Sequence, residues 1–106
     1  MMDLIIPVYK NKPGLYRTLM SIGTEVSDKI KVTIVDDCSK ENYEDVIELF
    51  QKIFPIRVLV LEKNSGPGIA RQFGLNHSKE PYVSFIDCGD TYVTPTIIKE
   101  SLEIVK

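Results

Sequence analysis

Lys31-Val32-Thr33-Ile34-Val35-Asp36-Asp37-Cys38-Ser39 is a β-branched, apolar run that passes directly into two carboxylates and a small polar turn. Branched side chains suit a pleated, buried surface, whereas Asp and Ser favour turns because they bond the nearby backbone. The stretch therefore reads as a buried strand with polar groups at its carboxyl end. Working outward, three more segments share this form. Asp3-Leu4-Ile5-Ile6-Pro7-Val8 opens onto Tyr9-Lys10-Asn11, and Ile56-Arg57-Val58-Leu59-Val60-Leu61 leads towards Asn64-Ser65-Gly66-Pro67-Gly68. Tyr82-Val83-Ser84-Phe85-Ile86 ends in Asp87-Cys88-Gly89-Asp90.

Between these runs the apolar spacing changes to that of a helix. Leu15, Leu19 and Ile22 share a face, with Pro13 near the first turn and Gly23 at the exit. Tyr43, Val46, Ile47, Phe50, Ile53 and Phe54 lie opposite Glu44, Asp45, Glu48, Gln51 and Lys52. Asn42 is the expected N-cap of that helix and Pro55 its stop. Ile69, Ala70, Phe73 and Gly74 define a third helix, and Thr94-Pro95 starts a fourth carrying Ile98, Leu102 and Val105. Strands alternating with helices at short intervals make βαβ units, whose right-handed crossovers give a mostly parallel sheet. The prediction is an α/β, three-layer, Rossmann-like fold with sheet order 3-2-1-4, helices on both faces, and one domain over residues 1–106. Ligands of such sheets bind beyond the carboxyl ends of the strands, where the winding reverses. That point falls between strands 1 and 4.

Composition narrows the partners. The 106 residues carry a formal net charge of -2, which supplies no basic stripe for nucleic acid or an anionic membrane surface. No apolar run approaches the roughly 20 residues of a membrane span, and Met1-Met2-Asp3 lacks the pattern of a signal peptide. A cytoplasmic location is expected, with Cys38 and Cys88 as free thiols rather than a disulfide.

The polar clusters after the strands are the candidate chemistry. Asp36 and Asp37 crowd two like charges at a buried strand end. One can accept hydrogen bonds from a base or ribose, or either can close a turn with Ser39 or cap a helix. Asp87 and Asp90, three apart in a Gly-containing turn, offer oxygen ligands suited to Mg²⁺ or Mn²⁺ on a diphosphate, or form an ordinary turn before a helix. The Asn64 to Gly68 segment presents glycines and amides at a helix start. Arg71, one turn on, has the planar fork to reach phosphate or base, and Tyr9 is placed to stack on a base. Neither a Walker A pattern nor G-x-G-x-x-G is present, and His77 is given no role.

Taken in order along nearly the whole chain, these segments resemble the family 2 glycosyltransferases of GT-A fold. Leu4-Ile5-Ile6-Pro7-Val8-Tyr9-Lys10-Asn11 is similar to the family's first strand and turn. Ile34-Val35-Asp36-Asp37-Cys38-Ser39 resembles its Val-Asp-Asp-Gly-Ser motif. Asn64-Ser65-Gly66-Pro67-Gly68-Ile69-Ala70-Arg71-Gln72 resembles Asn-x-Gly…Ala-Arg-Asn, and Asp87-Cys88-Gly89-Asp90 resembles Asp-x-Asp-Asp. The resemblance implies a nucleotide-sugar-binding half that holds a UDP-sugar or other NDP-sugar, for inverting transfer to the hydroxyl of a sugar, lipid or protein acceptor. By it, Pro7, Val8 and Tyr9 line the nucleoside pocket, Asp36 or Asp37 binds base or ribose, Arg71 closes it, and Asn64 and Gly66 are further substrate-binding residues. Asp87 lies at the diphosphate, and Asp87 with Asp90 holds the metal, although Gly89 stands where the family usually has an acid. No residue is assigned as general base, which is expected in an acceptor half beyond Lys106. A non-catalytic nucleotide-binding or assembly module is the alternative, and an uncovered sheet edge would invite a homodimer.

Overall fold

A computed structural model of the chain describes residues 1–22 and 28–90. Each apolar run is a strand: β1 (Met2–Val8), β2 (Ile30–Asp36), β3 (Ile56–Val60) and β4 (Tyr82–Phe85). They pair in parallel in the order β3-β2-β1-β4, with Leu4 opposite Val32 and Ser84, and Ile34 opposite Val58. The order expected from the crossovers is the order observed. Helices α1 (Lys12–Met20), α2 (Glu44–Phe50) and α3 (Pro67–His77) make the connections.

Side chains alternate across a strand, and both faces of the sheet are used. Leu4, Ile6 and Val8 of β1 join Val32 and Ile34 of β2 in a core with Leu15 and Leu19 of α1 and Val46 and Phe50 of α2. Ile5 and Val35 point the other way, into a smaller core with Leu61 and with Ala70 of α3. Helix α3 lies close to the sheet because Gly74 has no side chain. A Cβ there would sit 2.7 Å from Ile5 Cγ2 and 3.0 Å from Val35 Cγ2.

Three expectations need correction. The second helix is shorter than its apolar pattern: α2 ends at Phe50, and a turn over 51–54 brings the amides of both Ile53 and Phe54 onto the Phe50 carbonyl. That tightening turns Phe54 into the core, stacked on Phe50, and leaves Ile53 exposed. The N-cap position is Tyr43 rather than Asn42, because α2 starts at Glu44; Asn42, one residue before the cap, still accepts the Glu44 amide on its Oδ1 at 2.8 Å. Ile69 is exposed, because α3 turns Ala70 and Gly74 to the sheet and so carries its neighbour towards solvent. Gly23 and the helix expected after Thr94 lie outside the described residues.

One polar group is unexpectedly deep. Asp3, in β1, is fully buried; Thr33 Oγ1 donates to its Oδ1 at 2.6 Å, and Arg57 Nη2 lies 3.7 Å from its Oδ2. Asp3 and Arg57 sit near the amino ends of their strands and Thr33 midway along β2, away from the polar clusters. Among the described residues no helix is long and apolar enough to cross a membrane.

Candidate nucleotide-sugar site

A cleft of about 280 Å³ opens at the carboxyl ends of the strands. Pro7, Val8 and Tyr9 form its wall from β1, Asp37 from the end of β2, Pro67 and Arg71 from α3, and Asp87 and Cys88 from the turn after β4, with Asn11 before α1. Six of the residues expected at a site therefore meet in one place: Pro7, Val8, Tyr9, Asp37, Arg71 and Asp87.

The two adjacent acids separate by function of their partners. Asp36 turns inward, where its Oδ1 accepts both the Ser39 amide at 2.9 Å and the Ser39 hydroxyl at 2.5 Å. Ser39 Oγ in turn accepts from the Lys10 amide and from the Tyr43 hydroxyl. Asp36 thus closes a turn, tying the ends of β1 and β2 together through Ser39, and does not line the cleft. Asp37 is almost fully buried and holds the next loop: Oδ1 accepts the Ser65 amide at 2.7 Å and Oδ2 the Gly66 amide at 2.8 Å. Each carboxylate oxygen has a second acceptor site, so Asp37 retains capacity for a ligand. Gly66 contributes its amide to this latch, while Asn64 lines an adjoining hollow with Lys10 and Lys63.

Across the cleft, the Arg71 guanidinium of α3 donates from Nη2 to Asp87 Oδ1. Both side chains reach solvent, 35% and 54% exposed, and such an ion pair contributes at most about 1 kcal/mol. It costs little to exchange for a more highly charged partner. The turn that carries Asp87 is closed by the Asp90 amide on the Asp87 carbonyl, with Gly89 at φ +97°, a conformation that favours glycine. Helix α1 braces it. The Gly89 amide donates to Thr18 Oγ1, that hydroxyl donates to the Asp90 carbonyl, and the Cys88 thiol donates to the Asn11 carbonyl. Burial pushes the Cys88 thiol up from 9.0 to about 11, which keeps its proton in place.

Among the described residues no group of three or more His, Cys, Asp or Glu converges as a metal cage. Asp87 lines the cleft and Asp90 does not. A hard cation such as Mg²⁺ is commonly held by one or two protein carboxylates plus substrate phosphates and water. The turn fits a cation that shares its ligands with a diphosphate, rather than one held by protein alone. Asn11, Pro67 and Thr18 were not singled out from sequence. Asn11 and Pro67 fall inside clusters that were; Thr18 carried one weak sign, a poor helix former beside Leu19.

A family model described as glycosyl transferase family 2 matches residues 3–104. The chain belongs to that family. This glycosyltransferase family 2 chain is 32% identical over 106 residues to an uncharacterized glycosyltransferase of Haemophilus influenzae, covering 100% of this chain and 35% of the relative. It is 28% identical to the poly(ribitol-phosphate) beta-N-acetylglucosaminyltransferase TarS of Staphylococcus aureus, covering 97% of this chain and 18% of TarS. The crystal structure of TarS residues 1–349 in complex with UDP superposes with a TM-score of 0.83 at 26% identity, over 98% of this chain and 31% of that one. A mannosyltransferase of Pyrobaculum calidifontis, PcManGT, in complex with GDP-Man and Mn²⁺, gives 0.80 at 16% identity, over 98% and 31%; that likeness bears on fold alone. The parallel sheet with helices on both faces is the GT-A architecture these enzymes share. The family 2 chain spans well under half the length of the curated relatives it matches.

Proposed function

We propose that the chain is the donor-binding part of a glycosyltransferase, holding a nucleoside diphosphate sugar, with UDP-sugar the first choice, for transfer to an acceptor hydroxyl. The observation that carries this is one cleft with a buried carboxylate, Asp37, on one wall and an exchangeable guanidinium, Arg71, on another. Asp37 accepts hydrogen bonds from the base or ribose while it keeps the Ser65 and Gly66 amides. Tyr9, 44% exposed at the rim, stacks on the base, and Pro7 and Val8 form the apolar floor. Arg71 leaves Asp87 for the diphosphate, where charge-assisted and bidentate bonds are stronger. The UDP complex of TarS supports uridine as the nucleoside.

Asp87, with Asp90 as the second acid of the turn, would hold Mg²⁺ or Mn²⁺ and so supply neutralisation of the leaving diphosphate. In the transfer itself the acceptor oxygen bonds to the anomeric carbon as the bond from that carbon to the diphosphate breaks. The nucleoside diphosphate leaves with the electron pair, and the acceptor proton passes to a base. Attack opposite the leaving group inverts the anomeric centre. None of the cleft residues is assigned as that base, since Asp37 and Asp87 are both engaged. A cytoplasmic site of action accords with this reading.

Calorimetric titration with UDP and GDP, each with and without Mn²⁺, tests it. UDP binding that strengthens with Mn²⁺ is expected. Absence of binding to either nucleotide would favour a non-catalytic assembly module instead.

A further inference from the structure

Thr18 is fully buried in α1, yet its hydroxyl makes two bonds outside the helix. A threonine within a helix commonly turns its hydroxyl back to a carbonyl one turn earlier. This one instead donates to the Asp90 carbonyl at 2.7 Å and accepts the Gly89 amide at 3.0 Å, more than seventy residues along the chain. The bonds flank the one residue of the turn with positive φ, Gly89. On the same side, Asn11 packs its amide against Gly89, 3.3 Å from where a Cβ would stand. The turn is thus gripped at the backbone by α1, while its Asp87 side chain meets Arg71 of α3 on the other side.

We infer that Thr18 is a positioning residue for the diphosphate end of the donor: its hydroxyl fixes the 87–90 turn so that Asp87 faces Arg71 across the cleft. The inference rests on the donor-site reading above. With glycine at the third position, the turn has no acid side chain of its own there, and beside its own Asp90-to-Asp87 backbone bond it is the buried hydroxyl that holds its backbone at two points. The bonds described for Thr18 do not reach Tyr9 or Asp37, so removal of the hydroxyl perturbs the diphosphate end and spares the nucleoside end.

The test compares wild type, Thr18→Val and Thr18→Ser for binding of UDP with Mn²⁺ by calorimetry, and of uridine by ligand-observed NMR. Valine preserves the shape and removes both bonds, so UDP affinity should fall about tenfold, equivalent to about 1.4 kcal/mol, with uridine affinity within about twofold. Serine should restore UDP binding. Equal loss of both ligands, or no loss of either, would overturn the positioning role. A wild-type chain that binds neither ligand would remove the donor site itself, and this role with it. Should the valine variant not fold, amide exchange in wild type decides: strong protection at Gly89 supports the clamp, and free exchange there refutes it.

Discussion

Asp36 and Asp37 are chain neighbours, both buried, and their carboxylates have separate tasks. Asp36 is tied through Oδ1 to Ser39, whereas Asp37 couples the end of β2 to the start of α3 through two backbone amides. Substitution of Asp37 is therefore not a pure binding test. Asp37→Asn turns a donor towards one of those amides and should cost about 1–3 kcal/mol of stability, measured by chemical denaturation, besides weakening nucleotide binding. Arg71→Ala removes only a solvent-facing ion pair. It should change stability by less than about 1 kcal/mol and still abolish most UDP affinity. Equal stability losses in the two variants would contradict this division. A third residue-scale expectation concerns alkali. Cys88 and Tyr43 are acids whose pKa burial raises, Cys88 from 9.0 to about 11 and Tyr43 above 10.0. Folding favours their protonated forms, so the Cys88 contribution is intact below about pH 9 and lost as pH rises towards 11, and that of Tyr43 is intact below about pH 10 and lost above it. The denaturation midpoint should fall through that window, and less steeply in Cys88→Ala.

Among the elements, α3 carries the cleft on its first turns and depends on close contact with β1 and β2. Gly74→Ala forces a methyl against Ile5 and Val35, both wholly buried in the second core. Overpacking of this kind costs about 1–3 kcal/mol, visible as a lowered melting temperature, and it should shift α3 and weaken nucleotide binding with it. The element scale is also where the sequence was most and least readable. Four apolar runs ending in polar clusters were legible as parallel strands: β1 and β2 are buried on both faces, which leaves little alternative composition, while β3 and β4 at the sheet edges keep the apolar run although Val60 and Phe85 reach solvent. The end of α2 was not: Ile53 and Phe54 continue the helical spacing, yet the helix ends at Phe50 and Phe54 stacks back on Phe50. Ile69 fitted the pattern of α3 equally well, and which neighbour faces inward was decided by the glycine that permits contact. Of the site, Tyr9, Asp37 and Asp87 were legible because each follows a strand, and Arg71 because it lies one turn into the helix that the Asn64 to Gly68 cluster opens. The bracing by Thr18 was not, since its partners are remote in sequence, and neither was the burial of Asp3 against Thr33 and Arg57.

At the scale of the molecule, polar groups divide between the two ends of the sheet. Asp3 and Arg57 lie towards the amino ends of β1 and β3 and are joined through Thr33, midway along β2. Asp37, Arg71 and Asp87 lie at the carboxyl ends around an open cleft. The central claim is that the donor nucleotide is held at the second end only. The most direct measurement is an amide NMR titration of the ¹⁵N-labelled chain with UDP and Mg²⁺. Saturable shifts at Ser65, Gly66, Arg71 and Gly89, with Asp3, Lys31 and Arg57 unmoved, are the predicted result. Saturable shifts centred on Asp3 and Arg57, or no saturable shift at all, would contradict it.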